Sequence, residues 1–223
     1  MGDIELKASD NFTFGAYEAL PTSAPKGGVV VIQEIFGVNP HIRSVVDGYA
    51  EMGYAAIAPK IFDRVEKNVE LGYEQQTDFD KGLKIAFNDL EISDTLKDIQ
   101  ATVEALSKHG KVGVVGYCFG GLLTWLSACE ISGVAAASAY YGGGTASEVA
   151  RTASCPVMMH FGEKDEHIPM SEVETIKSSL PDVQVFVYDA DHGFNCDVRG
   201  SYHEASSTLA RERTLEFFSS HLG

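Results

Sequence analysis

Hydrophobic and polar positions follow two rhythms along the chain. Residues 28–33, Gly-Val-Val-Val-Ile-Gln, form a continuous apolar run, the pattern of a strand buried on both faces. Residues 12–19 alternate and predict an edge strand. Apolar segments at 54–58, 111–116, 134–140, 157–161 and 183–188 predict five more strands. Between them the period lengthens. Ile92, Leu96, Ile99, Val103 and Leu106 recur at spacings of four and three, which draws one apolar stripe on a helix that Gly110 ends. Asn39 followed by Pro40 supplies an N-cap and a proline at the first helical position, so a helix should run to Met52 before Gly53 stops it. Further helices are expected from Gly120, over 171–179 and over 202–221. Residues 59–88 are polar with weak periodicity and read as a loop holding one short helix near 81–86.

Strands alternating with helices predict an α/β fold, a mostly parallel sheet with helices on both faces. No repeat, low-complexity tract or linker interrupts the sequence, so residues 1–223 are expected to form one domain. Ligands of such sheets bind beyond the carboxyl ends of the strands, and chemistry should be sought there.

Charge removes several classes of partner. The 17 Lys and Arg face 32 Asp and Glu, and the net charge of -15 repels phosphate backbones and anionic lipid. Neither a nucleic-acid nor a membrane partner is expected. No apolar run approaches the ~20 residues that span a bilayer, and MGDIELKASD shows no leader pattern, so a cytoplasmic location is expected. Cys118, Cys129, Cys155 and Cys196 are too scattered for a disulfide framework and read as free thiols. No CxxC, HExxH, GxxxxGK[ST] or post-strand GxGxxG pattern occurs, so neither a metal site nor a cofactor is predicted.

Gly116-Tyr117-Cys118-Phe119-Gly120 lies between a strand and an apolar helix, the context of a nucleophile elbow. A residue perched on such a turn brings the positions two before and two after it together, where side chains would collide. Cys118 would then project near the positive end of its helix, which favours thiolate, with the Phe119 amide placed as an oxyanion donor. The plain alternative is an inert buried cysteine in a glycine-rich turn. A nucleophilic thiol needs a base and an orienting acid, in the chain order nucleophile, acid, histidine. Asp165, just past the 157–161 strand, and His192, past the 183–188 strand, fit that order. Asp189 or Asp191 could orient the histidine instead, and His167 is the rival base. His160, within a strand, reads as a satisfied core histidine, while His41, His109, His203 and His221 sit at helix ends or in the last helix and read as structural or solvated. The tyrosines of Tyr140-Tyr141-Gly142-Gly143-Gly144 could line a pocket.

Together Gln33-Glu34-Ile35-Phe36-Gly37-Val38-Asn39, Gly116-Tyr117-Cys118-Phe119-Gly120-Gly121, Asp165 and Asp191-His192-Gly193-Phe194 resemble the dienelactone hydrolase family, the carboxymethylenebutenolidases, over nearly the whole chain. The resemblance implies an α/β-hydrolase fold, a Cys118, His192 and Asp165 triad, and a Glu34 that sits against the thiol and controls its protonation. It also implies an oxyanion hole from the Ile35 and Phe119 amides. Family members that open dienelactone carry two arginines for the substrate carboxylate. Here Cys196 occupies one of those positions and residues 74–80 lack the other, while Arg64 and Arg199 are nearby in sequence without matching position by position.

The expected function is a cofactor-free, cysteine-dependent hydrolase of lactones or activated enol and aryl esters, working through an acyl thioester on a small molecule. Phe36, Tyr141, Arg64 and Arg199 are the candidate substrate contacts. A carboxylesterase or thioesterase with the same triad is the nearer alternative. A thiol redox sensor or a noncatalytic small-molecule binder would need neither base nor acid.

Overall fold

The computed structural model describes residues 1–223. Its framework is one eight-stranded sheet in the order β1-β2-β4-β3-β5-β6-β7-β8. The strands are β1 (Gly2–Lys7), β2 (Thr13–Ala19), β3 (Gly28–Ile32), β4 (Ala55–Pro59), β5 (Val112–Tyr117), β6 (Val134–Tyr140), β7 (Val157–Gly162) and β8 (Gln184–Tyr188). Pairing is antiparallel for β1 with β2 and β2 with β4, and parallel from β4 through β8. The central strands β3, β4 and β5 are buried at every position, as their unbroken apolar runs require.

Six helices cover the sheet: α1 (Pro40–Glu51), α2 (Gln76–Lys84), α3 (Ile92–Leu106), α4 (Phe119–Glu130), α5 (Met170–Ser179) and α6 (Glu204–Leu222). Strand alternation divides them between faces. A Cβ at Gly113 would meet Phe218 and Leu222 of α6, whereas one at Gly116, three positions on, would meet Gly120 and Thr124 of α4. Tyr49 of α1 packs on Phe218 of α6, which puts those two helices on one side, while α3 packs beside α4 on the other. Sixty buried side chains form one continuous core between sheet and helices. Asn39 caps α1 as expected, its side chain accepting from the Ile42 amide at 3.1 Å.

Three expectations are corrected. Residues 12–19 do not form the edge, because β1 pairs outside β2, with Ile4 and Leu6 half-buried on one face. Residues 59–88 hold a nine-residue helix, α2, continued by a π-helical turn at Ile85–Asp89, rather than a short helix at 81–86. His203 is the N-cap of α6 and not a residue within it.

Candidate active site

The strand order reverses at β3. Leaving its carboxyl end the chain passes through α1 to β4 on one side, then returns through α3 to β5 on the other. Such a switch point opens a crevice, and Glu34, Ile35 and Cys118 lie at its rim. Cys118 adopts φ 55° and ψ -116° at the turn from β5 into α4. A side chain in the left-handed half of backbone space costs about 1–3 kcal/mol, and the surrounding turn holds it there. A Cβ at Gly116 would lie 2.1 Å from the Gly120 carbonyl oxygen, and one at Gly120 would lie 2.5 Å from that of Gln33, so the elbow closes only with glycine at both positions.

Beyond the elbow is a cavity of about 330 Å³ whose lining includes Cys118, His192, Ile35, Phe119 and Arg199. Phe36, Phe79, Leu83, Phe87 and Leu122 make its walls mostly apolar. The Ile35 amide donates to no backbone acceptor, and Phe119 is the first residue of α4, so its amide has no acceptor within the helix. Two free donors therefore border the cavity that contains the thiol.

Asp165 and His192 come from the loops after β7 and β8. His192 Nδ1 lies 2.7 Å from Asp165 Oδ2, and both residues are buried. The other carboxylate oxygen, Oδ1, accepts from the His167 and Ile168 amides at 2.8 and 3.1 Å, which fixes its orientation. Asp189 instead pairs with Lys164, and Asp191 accepts from the His192 backbone amide at 2.6 Å. His167 packs edge-on against His192, with ring centres 5.1 Å apart, at the cavity wall. Burial works against the His192 cation, but interactions with Cys118 and with Asp165 outweigh it and raise the imidazole to about 10.

Glu34 is fully buried, with Oε2 accepting from the Tyr73 hydroxyl at 2.8 Å and Oε1 3.4 Å from Arg199 Nη1. Arg199 also faces the Phe36 and Tyr73 rings at 5.9 and 5.8 Å. Arg64 does not reach the site. Its guanidinium binds Asp98 at 2.6 Å and Asp10 at 2.7 Å and covers the Phe12 ring, so the sequence expectation that placed it at the substrate is corrected. Tyr141 is corrected in part: it is fully buried, with φ 37°, and supports His192 at 5.1 Å between ring centres while Gly143 and Gly144 line the cavity. His160 is the satisfied core residue expected, with Tyr188 and Thr214 hydroxyls at 2.8 and 3.1 Å.

Sequence reasoning missed Tyr73, Phe79, Leu83 and Phe87. The last three recur at intervals of four, a helical signal within the segment read as a loop. It also missed a buried group in which ligand atoms of Glu34, His41 and Cys196 lie within 4.8 Å of one another.

The fold is that of an α/β hydrolase with a thiol at the strand-to-helix elbow. The chain belongs to the dienelactone hydrolase family, whose sequence model matches residues 14–222. It is 31% identical over 225 residues to the carboxymethylenebutenolidase of Pseudomonas putida, covering 96% of this chain and 94% of that one. A Synechocystis protein provisionally named a carboxymethylenebutenolidase is 34% identical over 235 residues, covering 96% and 94%. The crystal structure of a provisionally named dienelactone hydrolase from Klebsiella pneumoniae superposes with a TM-score of 0.86 at 31% identity, covering 98% of each chain. The protein is thus a hydrolase of the dienelactone hydrolase type. No helix is long and apolar enough to cross a membrane.

Proposed function

We propose that the protein opens a lactone, or cleaves an activated enol or aryl ester, through an acyl thioester on Cys118. The observation that carries this reading is a strained thiol at the elbow sharing a cavity with a histidine whose Nδ1 is held 2.7 Å from a buried carboxylate. His192 takes the Cys118 proton, and Asp165 holds the imidazole in orientation and stabilises its cation. The thiolate adds to the substrate carbonyl, whose oxygen gains the negative charge opposite the Ile35 and Phe119 amides. When the tetrahedral adduct collapses, the carbon–oxygen bond to the enolate or phenolate breaks and His192 supplies its proton. The neutral imidazole then takes a proton from water, which attacks the thioester, and the thiolate leaves to restore the pair with His192. Glu34, held by Tyr73 and Arg199 at the end of β3, acts on the protonation of the thiol in this scheme. We assign the protein to the cytoplasm, a reading that accords with four unpaired cysteines.

The apolar cavity wall with one cation at its side supports a small lactone or ester as substrate. Hydrolysis of a panel of enol lactones, aryl esters and acyl thioesters tests the reading. Wild type should turn over lactones and aryl esters, and Cys118→Ala should lose at least about a thousandfold in kcat. Turnover of acyl thioesters alone would favour a thioesterase with the same residues.

A further inference from the structure

Two stretches distant in sequence, residues 34–41 and the loop holding Cys196, bring one carboxylate, one imidazole and one thiol together. Glu34 follows β3, His41 is in the first turn of α1, and Cys196 lies in the loop after His192. All three are buried, and their ligand atoms lie within 4.8 Å of one another. The His41 ring supplies an independent observation. Its Nδ1 is 3.0 Å from Asp197 Oδ1, while its buried Nε2 has no hydrogen-bond partner. A carboxylate that holds the Nδ1 proton leaves the Nε2 lone pair free, which is how histidine is commonly prepared for a metal.

We propose that Glu34, His41 and Cys196 form a binding site for a divalent cation of the zinc class. Mixed oxygen, nitrogen and sulfur donors suit a borderline-soft ion, whereas magnesium and calcium call for oxygen alone. Zinc bonds of about 2.0–2.3 Å place tetrahedral ligand atoms roughly 3.3–3.8 Å apart, so donors within 4.8 Å of one another close by up to about 1.5 Å. Glu34 has room for the ion: each of its oxygens accepts one protein hydrogen bond and has a second lone pair. His41 and Asp197 also border a 440 Å³ cavity between α1 and α6. Three protein donors leave the fourth position to water. Asp197 acts as the positioning residue for His41. Binding at this site does not depend on the role proposed for Cys118.

The test uses the full chain carrying Cys118→Ser, which removes the cavity thiol from competition. Calorimetric titration with ZnCl2 should show one ion per chain, and CdCl2 should give the ultraviolet band of a cadmium thiolate. Adding Cys196→Ser should abolish the band and weaken zinc binding at least about tenfold, with the far-ultraviolet circular dichroism unchanged. Should Cys196→Ser fail to fold, Asp197→Asn carries the test, since its side chain is 64% exposed. That variant should weaken zinc binding by about 10–100-fold. Absence of one-equivalent binding would overturn the proposal. So would a cadmium band that survives Cys196→Ser, because Cys129 or Cys155 would then be the ligand, or a zinc affinity untouched by Asp197→Asn.

Discussion

Arg199 Nη1 stands 3.4 Å from Glu34 Oε1, and this pair sets a cation at the side of a mostly apolar cavity. A substrate carboxylate entering there needs a cationic partner, because an unpaired buried charge is costly. Any such group must share Arg199 with Glu34. The overall charge of -15 adds a long-range penalty against anions.

Selection for a carboxylate should therefore be weak and should reside in Arg199. For a carboxylate-bearing lactone and its methyl ester, kcat/KM in wild type should favour the acid by no more than about tenfold, and Arg199→Ala should remove that preference. Arg64→Ala should leave the ratio unchanged, because Asp98 and Asp10 already hold that side chain. A ratio that responds to Arg64 and not to Arg199 would contradict this placement.

Iodoacetamide should modify Cys118 before the other three cysteines. Burial pushes Cys129 and Cys155 up to about 11, and burial together with Glu34 pushes Cys196 up to about 12, so all three remain thiols at neutral pH. Timed peptide mapping checks the order, and labelling of Cys118 last would remove it as the nucleophile.

Leaving-group acidity should govern turnover. A thiolate departs from a tetrahedral adduct more readily than an alkoxide, so addition to a simple alkyl ester mostly reverses while an enol or phenol ester goes forward. Ethyl esters hydrolysed as fast as enol lactones of similar size would show that this step is misassigned.

Acid should destabilise the fold through His160. Burial, and secondarily the charge of Arg213, lower this imidazole from 6.5 to about 3. A folded value below the unfolded one gives stability that is present above pH 6.5 and lost as pH falls toward 3, at up to about 1.4 kcal/mol per unit. His192 is raised, so its contribution is lost in another window, as pH rises from 6.5 through about 10. Urea midpoints between pH 6.5 and 4.5 should fall with acid in wild type and more gently in His160→Gln. Equal slopes in the two proteins would refute the assignment.

The sheet and the elbow were legible because strands buried on both faces demand unbroken apolar runs, and because Gly116 and Gly120 have a steric reason to flank Cys118. The α2 segment was not, since Gly82 is its one buried residue and Phe79 and Leu83, which line the cavity at the margin of the core, are only half-buried. Strand β1 alternates strictly in burial but buries no residue completely, and Ile4 and Leu6 are its only large apolar side chains. Arg64 misled by its place after β4, because its partner Asp98 comes from α3, 34 positions away. The grouping of Glu34, His41 and Cys196 could not be read locally, because Cys196 comes from a loop 155 positions beyond His41.

The proposed reaction passes through a covalent bond between substrate and Cys118, and rapid quench followed by intact-mass measurement tests that bond most directly. Wild type stopped within one turnover of an aryl ester should carry a single acyl addition, mapped to Cys118 and released by hydroxylamine. Cys118→Ala should carry none and should turn over at least about a thousandfold more slowly. Full turnover by Cys118→Ala, or an acyl group found on another residue, would contradict the account.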